Sequence, residues 1–208
     1  MKSIIFAGET KTIRLTMRQL LTILMLVLCT AAGAQSIEKL YTEGKALYDA
    51  KKYAQAVPKL KAAAEKGPKK AQYRLGRCYD KGNGIPENDK QAFAWYSKSA
   101  AQGFAKAQYQ VGKCYKNGEG VTKDRTKAFQ DFEKAAKQDN ADAQLALGKC
   151  FLKGKGVAAD KAKATVWLKK AVKNAKDGKQ ILEELRQEAA AGDEDAKTIL
   201  QLTGVKAK

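Results

Sequence analysis

The sequence predicts an all-α solenoid in which short helix–turn–helix units stack one on another. Three observations lead to this fold class: a segment that recurs every 36 residues, apolar residues at helical spacing within each copy, and a Gly-x-Gly element after the first helix. Proline is scarce, with three residues in 208, which suits long helical stretches. A single helix pair cannot bury its apolar face alone, so we expect neighbouring pairs to stack.

The repeat is clearest in the first helix of each copy. Residues 71–79 recur as residues 107–115 and again as residues 143–151, without insertion. A glycine pair follows each copy at the same distance. These pairs are Gly82 and Gly84, Gly118 and Gly120, and Gly154 and Gly156. Glycine readily adopts the left-handed conformation that ends a helix, so each pair is predicted to turn the chain back.

Two further positions recur with a structural meaning. Each first helix carries an interior glycine, which costs about 1 kcal/mol relative to alanine and therefore needs a reason. Close approach of a neighbouring helix is the predicted reason at Gly76, Gly112 and Gly148. Short polar residues that can accept hydrogen bonds precede each second helix, and we expect them to cap it. They are Asn88, Asp124 and Asp160.

Residues 1–34 are predicted to be a secretory signal peptide. A basic residue precedes the apolar run 20–28, and the small residues 31–34 follow it, so cleavage is expected between Ala34 and Gln35. The apolar run is too short to cross a bilayer core of about 30 Å. We therefore expect an exported chain, periplasmic or secreted, without a membrane span after cleavage. The start codon is left open between Met1 and Met17.

The rest of the chain divides into three regions. Residues 69–178 contain the three 36-residue repeats. Residues 35–68 are predicted to form a divergent, tetratricopeptide-like helix pair, because Gly44 and Leu60 align with the later copies if the inter-helix turn loses four residues. Residues 179–208 are predicted to form helices that cap the far end of the array with polar groups.

Composition and charge remove several function classes. The chain has no histidine, which excludes the commonest general base and the commonest zinc ligand. Its net charge is +18, and removal of residues 1–34 takes away four basic residues and one acidic residue, leaving +15. Such a charge favours acidic partners. Nucleic acid is not expected, because arginine is scarce and an exported protein rarely meets it. No cofactor or metal is predicted.

Three cysteines occupy one repeat position: Cys78, Cys114 and Cys150. Equivalent residues on stacked helices lie roughly 9–10 Å apart, beyond the ~7 Å that a disulfide can bridge between Cα atoms. The same distance argues against a zinc site. We interpret the three thiols as small buried apolar groups, and their redox state is left open.

The repeats resemble a known family. Their pattern, Ala-x-x-x-Leu-Gly-x-x-Tyr-x-x-Gly-x-Gly-Val-x-x-Asp-x-x-x-Ala-x-x-Trp-Tyr-x-x-Ala-Ala, is similar to the Sel1-like repeats of the tetratricopeptide superfamily. Residues 71–178 carry the resemblance strongly and residues 37–67 loosely. It implies a right-handed superhelix that acts as a scaffold or adaptor, with the first helices lining a concave groove. Asp131 departs from the pattern at the second-helix tryptophan, and Asp139 and Ala175 depart at the closing glycine.

If the first helices line the groove, basic side chains should face a partner there. Arg77, Lys113 and Lys149 occupy equivalent positions and are called the basic ladder below. The candidate partner-binding residues are Arg74, Arg77, Lys113, Lys149, Tyr73 and Tyr109. The alternative interpretation is a lysine-rich face that is merely solvated.

The sequence thus predicts an exported, monomeric scaffold that binds a protein or peptide partner, with an acidic one favoured by the charge. One alternative is an envelope enzyme, because Ser36 and Lys39 match the Ser-x-x-Lys motif of penicillin-recognising enzymes, to which cysteine-rich secreted relatives in the family are linked. The Ser-Asp-Asn and Lys-Thr-Gly partner motifs are missing, so no catalytic residue is predicted. A second alternative is adhesion to anionic envelope glycan or lipid.

Overall fold

The computed structural model describes residues 36–205, and the chain divides into two compact units, Met1–Lys39 and Leu40–Lys208. Of the first unit, residues 36–39 are described, and they are helical. The predicted signal peptide, residues 1–34, lies outside the described residues. The second unit contains all of the repeats.

The described part of the second unit consists of helices and connecting turns, without a β-strand. The helices are α1 (40–49), α2 (Tyr53–Glu65), α3 (Lys69–Lys81), α4 (Asp89–Ala101), α5 (Ala105–Asn117), α6 (Arg125–Ala136), α7 (Ala141–Lys153), α8 (Lys161–Lys173), α9 (Gly178–Ala190) and α10 (Glu194–Thr203). From α2 to α10, each helix packs mainly against its neighbours in the chain, as stacked helix pairs do. The predicted all-α solenoid is confirmed.

Helix ends follow the repeated sequence. Asn88, Asp124 and Asp160 each precede a second helix and accept a hydrogen bond from a backbone N–H three residues later, each at 2.9 Å. The first helices end at glycines in the left-handed conformation. Their φ values are +62° at Gly82, +87° at Gly118 and +63° at Gly154. The polar caps and the turn glycines therefore set the length of each helix.

The interior glycines lie where two helices of one repeat cross. A Cβ atom at Gly112 would lie 2.6 Å from the Phe132 ring, and one at Gly148 would lie 2.7 Å from the Leu168 side chain. Gly76 faces the Tyr96 ring in the same way, at 2.7 Å. The largest buried side chain of the second helix thus packs directly on the backbone of the first.

The second glycine of each Gly-x-Gly element contacts the preceding helix pair. A Cβ atom at Gly84 would lie 2.5 Å from the backbone of Tyr53, at the start of α2. Gly120 packs in the same way on the backbone of Asp89, and Gly156 on that of Arg125, at the starts of α4 and α6. These glycines therefore seat each repeat on its predecessor, a role that the turn geometry alone does not reveal.

Buried amides close each repeat. Gln72, near the start of α3, accepts a hydrogen bond of 2.8 Å from Gln102, at the end of α4. Gln138 donates to Gln108 at 2.7 Å in the second repeat. In the third repeat Gln144 accepts from Asn174 at 3.4 Å. These pairs hold the start of the first helix to the end of the second, and they satisfy amides that would be costly to bury alone.

The three cysteines are buried and free. Cys78 packs with Leu60 of the first helix pair, and Cys114 packs with Tyr96 of the first repeat. Burial raises the pKa of the Cys78 thiol to about 11 and that of Cys114 to about 12. The thiols therefore stay protonated near neutral pH and contribute to packing between successive helix pairs.

Candidate functional site

The two arginines of the candidate surface are held by α1. The guanidinium of Arg74 forms an ion pair of 3.1 Å with Asp49 and lies 5.3 Å from the centre of the Tyr48 ring. Arg77 lies 5.8 Å from the centre of the same ring and is half-buried. Arg74 is thus already paired with a carboxylate of this chain, and both arginines stabilise the contact between α1 and α3.

The two tyrosines each pack against an aromatic ring of their own repeat. Tyr73 packs edge-on against Phe104, with ring centres 5.2 Å apart, and Tyr109 lies 5.8 Å from the Phe132 ring centre. Burial raises the pKa of Tyr109 to about 12, and the nearby carboxylates of Asp142 and Glu184 add to the rise. Both rings are partly exposed, so each presents an apolar edge and a hydroxyl that remains neutral.

The two lysines of the ladder converge on a third lysine, Lys116, that the sequence analysis did not single out. Burial lowers the pKa of the Lys116 ammonium, and the charges of Lys113 and Lys149 lower it further. Lys113 also lies 6.0 Å from the centre of the Tyr109 ring. The ammonium group of Lys116 is therefore repelled by that of Lys113, in the same repeat, and by that of Lys149, in the next.

A cavity of about 280 Å³ opens beside these lysines. Tyr109, Phe132 and Leu145 give it apolar walls, and Lys116 and Lys149 line its basic side. Its other charged lining residues are Lys153, Lys155, Asp142 and Glu184. The side chain of Lys153 forms an ion pair with Asp195 of α10, which ties the third repeat to the C-terminal helix pair.

One end of the surface is acidic. The lining of a smaller cavity of about 150 Å³ includes Tyr73, Tyr109 and one cation, Lys106, together with three carboxylates, those of Asp142, Asp177 and Glu184. Burial raises the pKa of Asp142, and the charges of Asp177 and Glu184 raise it further. Glu184, on α9, and Asp142 line both cavities, so the lysines of the ladder have acidic residues as neighbours on one side.

Three further candidate features concern a metal site, the Ser-x-x-Lys motif and a membrane span. Between residues 36 and 205, no group of three or more Cys, Asp or Glu side chains is arranged to hold a metal ion. Ser36 and Lys39 lie in the first unit, outside the repeats. None of the helices described has both the length and the apolar run that crossing a membrane requires.

Stacked helix pairs with a charged, aromatic-lined surface define a helical-repeat protein of the kind that binds other proteins. The Sel1 repeat model matches residues 69–104, 105–140 and 141–175. The chain belongs to the Sel1 repeat family, whose members are generally protein-interaction scaffolds and typically not enzymes.

Solved structures share the fold. A Sel1 repeat protein from Oxalobacter formigenes is 30% identical, with a TM-score of 0.65, over 79% of this chain and 67% of that chain. The protein c5321, a protective antigen present in uropathogenic Escherichia coli strains, displays an SLR fold and is 27% identical, with a TM-score of 0.67. That match covers 85% of this chain but 40% of the antigen, so the chain spans about two fifths of its length. No curated protein sequence matches the chain.

Proposed function

We propose that the chain is an exported, monomeric and non-catalytic scaffold that binds an acidic protein or peptide along α3, α5 and α7. The observation that carries this proposal is the convergence of Lys113 and Lys149 on Lys116: burial lowers the pKa of Lys116, and the charges of the other two lysines lower it further. In the described part of the chain, none of the three forms an ion pair with a carboxylate. An acidic partner would supply the missing negative charge and relieve the repulsion.

The proposal divides the candidate residues by task. Lys113 and Lys149 attract the partner, and the exposed edge of Tyr109 offers apolar contact beside them, a combination that protein interfaces favour. Arg74 and Tyr73 mainly support the wall, because Arg74 pairs with Asp49 and Tyr73 packs on Phe104. Arg77 contributes charge from its half-buried position. Binding should weaken as salt rises, since the Debye length falls from about 10 Å at 0.1 M to about 3 Å at 1 M.

The test is capture of proteins from the cell envelope by cross-linking, with mass spectrometry and a salt titration. The variant Arg77→Glu/Lys113→Glu/Lys149→Glu should lose the acidic partner that the parent protein captures. The double variant Lys113→Glu/Lys149→Glu leaves the Arg77–Tyr48 contact intact, so a loss of binding in this variant does not result from a weakened contact between α1 and α3. Circular dichroism should show unchanged helix content in the double variant.

A matched control reverses exposed lysines on second helices, Lys61, Lys90 and Lys169. In the described residues these three form no ion pair, and the variant changes net charge as much as the triple ladder variant does. Equal loss of binding in both triple variants would mean that bulk charge alone attracts the partner. Full binding by the ladder variants would reject the proposed surface.

A further inference from the structure

A cavity lined by cations lies at the junction of the second and third repeats. Its volume is about 250 Å³, and its charged lining residues are Lys116, Lys123, Arg125 and Lys155. We call these four residues the basic pocket. All four are exposed, and the floor beneath them is apolar and buried, formed by Ala128, Phe132 and Cys150. Among the described residues, no carboxylate lines this cavity.

The equivalent positions one repeat earlier carry the opposite charge. Moving back by 36 residues replaces each of the four cations by a carboxylate. The four residues are Asp80, Glu87, Asp89 and Glu119, and we call them the acidic junction. One repeat later the same positions hold Leu152, Ala159, Lys161 and Ala191. Of these three aligned sets, one set alone is fully cationic.

The buried thiols report this reversal independently of the sequence alignment. Burial raises the pKa of Cys114, and the carboxylates of Glu119, Asp80 and Asp89 raise it further. Burial also raises the pKa of Cys150, but there the charges of Lys116 and Lys155 oppose the rise. Two equivalent thiols therefore sit in fields of opposite sign, so the acidic and basic residues do gather around their own junctions.

The cations of the basic pocket are available to a ligand. In residues 36–205 none of the four forms an ion pair, and Lys113 and Lys149 add further positive charge beside Lys116. Burial lowers the pKa of Lys116 most, the charges of Lys113 and Lys149 lower it further, and the nearby carboxylate of Glu119 acts in the opposite direction. The cavity is smaller than the roughly 300–1,000 Å³ of sites that take a whole small ligand. It suits one or two side chains of a larger partner.

We propose that the basic pocket recognises the carboxylates of an acidic peptide segment, which therefore lies over the second and third repeats. The acidic junction repels the same carboxylates, so the segment cannot bind equally well one repeat earlier. Opposite charges at equivalent sites thus fix the position of the partner along the solenoid. This inference rests on the proposed function for the existence of an acidic partner.

The test uses a fluorescent hexaglutamate peptide and the chain from residue 35 onward, with binding followed by fluorescence anisotropy at low salt. The variant Lys116→Glu/Lys123→Glu/Lys155→Glu should bind the peptide about tenfold more weakly or worse, because it loses three charge-assisted contacts. The control variant Lys61→Glu/Lys90→Glu/Lys169→Glu has the same net charge and should bind within about threefold of the parent protein, since its lysines lie outside the site. Thermal melts by circular dichroism show whether each variant is folded.

A second variant tests the same idea by gain of binding. The change Glu87→Lys/Asp89→Arg/Glu119→Lys copies three cations of the basic pocket onto the acidic junction and keeps Asp80, which accepts a hydrogen bond from Tyr96. Isothermal titration should then show two hexaglutamate peptides bound per chain where the parent protein binds one.

Two results would overturn the inference, and they separate it from the proposed function. If the pocket variant binds like the parent protein while Lys113→Glu/Lys149→Glu loses the peptide, the ladder alone binds it and the pocket does not. If neither variant weakens binding, the pocket and the proposed surface both fail. A second site in the gain-of-binding variant, together with loss in the pocket variant, supports the assignment.

Discussion

Replacing Gly120 by alanine would test whether that glycine seats the second repeat on the first. Gly120 has φ of +67°, and an added Cβ atom would meet the backbone of Asp89 at the start of α4. The neighbouring Gly118 has φ of +87°, but a Cβ atom there would lie 3.5 Å from the nearest atom, the Cβ of Lys123, which is ordinary contact. The two substitutions therefore share a conformational cost, and Gly120→Ala alone adds a clash between repeats.

The magnitudes follow from these geometries. Alanine in the left-handed conformation costs about 1–2 kcal/mol, which is the expected loss of unfolding free energy for Gly118→Ala. Gly120→Ala should lose a further 1–3 kcal/mol or so, the usual range for overpacking, because a helix backbone yields less than a flexible side chain. In a chain of this length each kcal/mol lowers Tm by about 2–4 °C.

Urea unfolding monitored by circular dichroism measures both variants against the parent protein. Gly103→Ala is a further control, since its φ is +75° and nothing lies within 4 Å of an added Cβ atom. It should behave like Gly118→Ala. If Gly120→Ala is no less stable than these two controls, the repeats do not contact each other through this glycine and the seating argument is wrong.

Three further predictions follow from the same structure. Gly112→Leu should lower the free energy of unfolding by about 1–3 kcal/mol or more, because the leucine would overlap the Phe132 ring. A thermal melt like that of the parent protein would show that Gly112 does not lie at a close helix crossing. Mass spectrometry of N-terminal peptides from the exported pool should show a chain that begins at Gln35, and an intact Met1 or Met17 there would refute export by cleavage. Iodoacetamide should alkylate Cys78 far more slowly at pH 8 in the folded chain than in urea, since burial raises the pKa of this thiol to about 11. Equal rates of alkylation would show that the thiolate is accessible in the folded chain.

The sequence predicted most of the fold because the same local pattern of caps, turns and apolar residues occurs in all three repeats. The caps at Asn88 and Asp124 and the turn at Gly118 are local features, and local chemistry was enough to place them. The seating role of Gly120 was missed because it depends on a residue 31 positions earlier, Asp89. A signal for the buried amide pairs was present in the recurrence of Gln102, Gln138 and Asn174 every 36 residues.

The candidate surface was harder to predict, because its partners come from distant parts of the chain. Nothing near Arg74 in the sequence indicates that Asp49 pairs with it, and nothing near Tyr109 indicates that Glu184 of α9 lies beside it. These contacts depend on how far the stacked helix pairs rotate from one repeat to the next. The change from Asp80 to Lys116 was visible in the sequence, but its meaning required both to be placed at equivalent junctions.

The seating glycines give the array a direction of construction. Gly84, Gly120 and Gly156 each pack on a helix that precedes them in the chain. The helix that each repeat packs on has therefore already been synthesised when that repeat leaves the ribosome. A chain that is synthesised from its N-terminus can therefore fold one repeat at a time, before its C-terminus has been made. Truncation should therefore have unequal effects at the two ends. Loss of α9 and α10 leaves the contacts of these three glycines in place, whereas loss of α2 removes the backbone on which Gly84 packs.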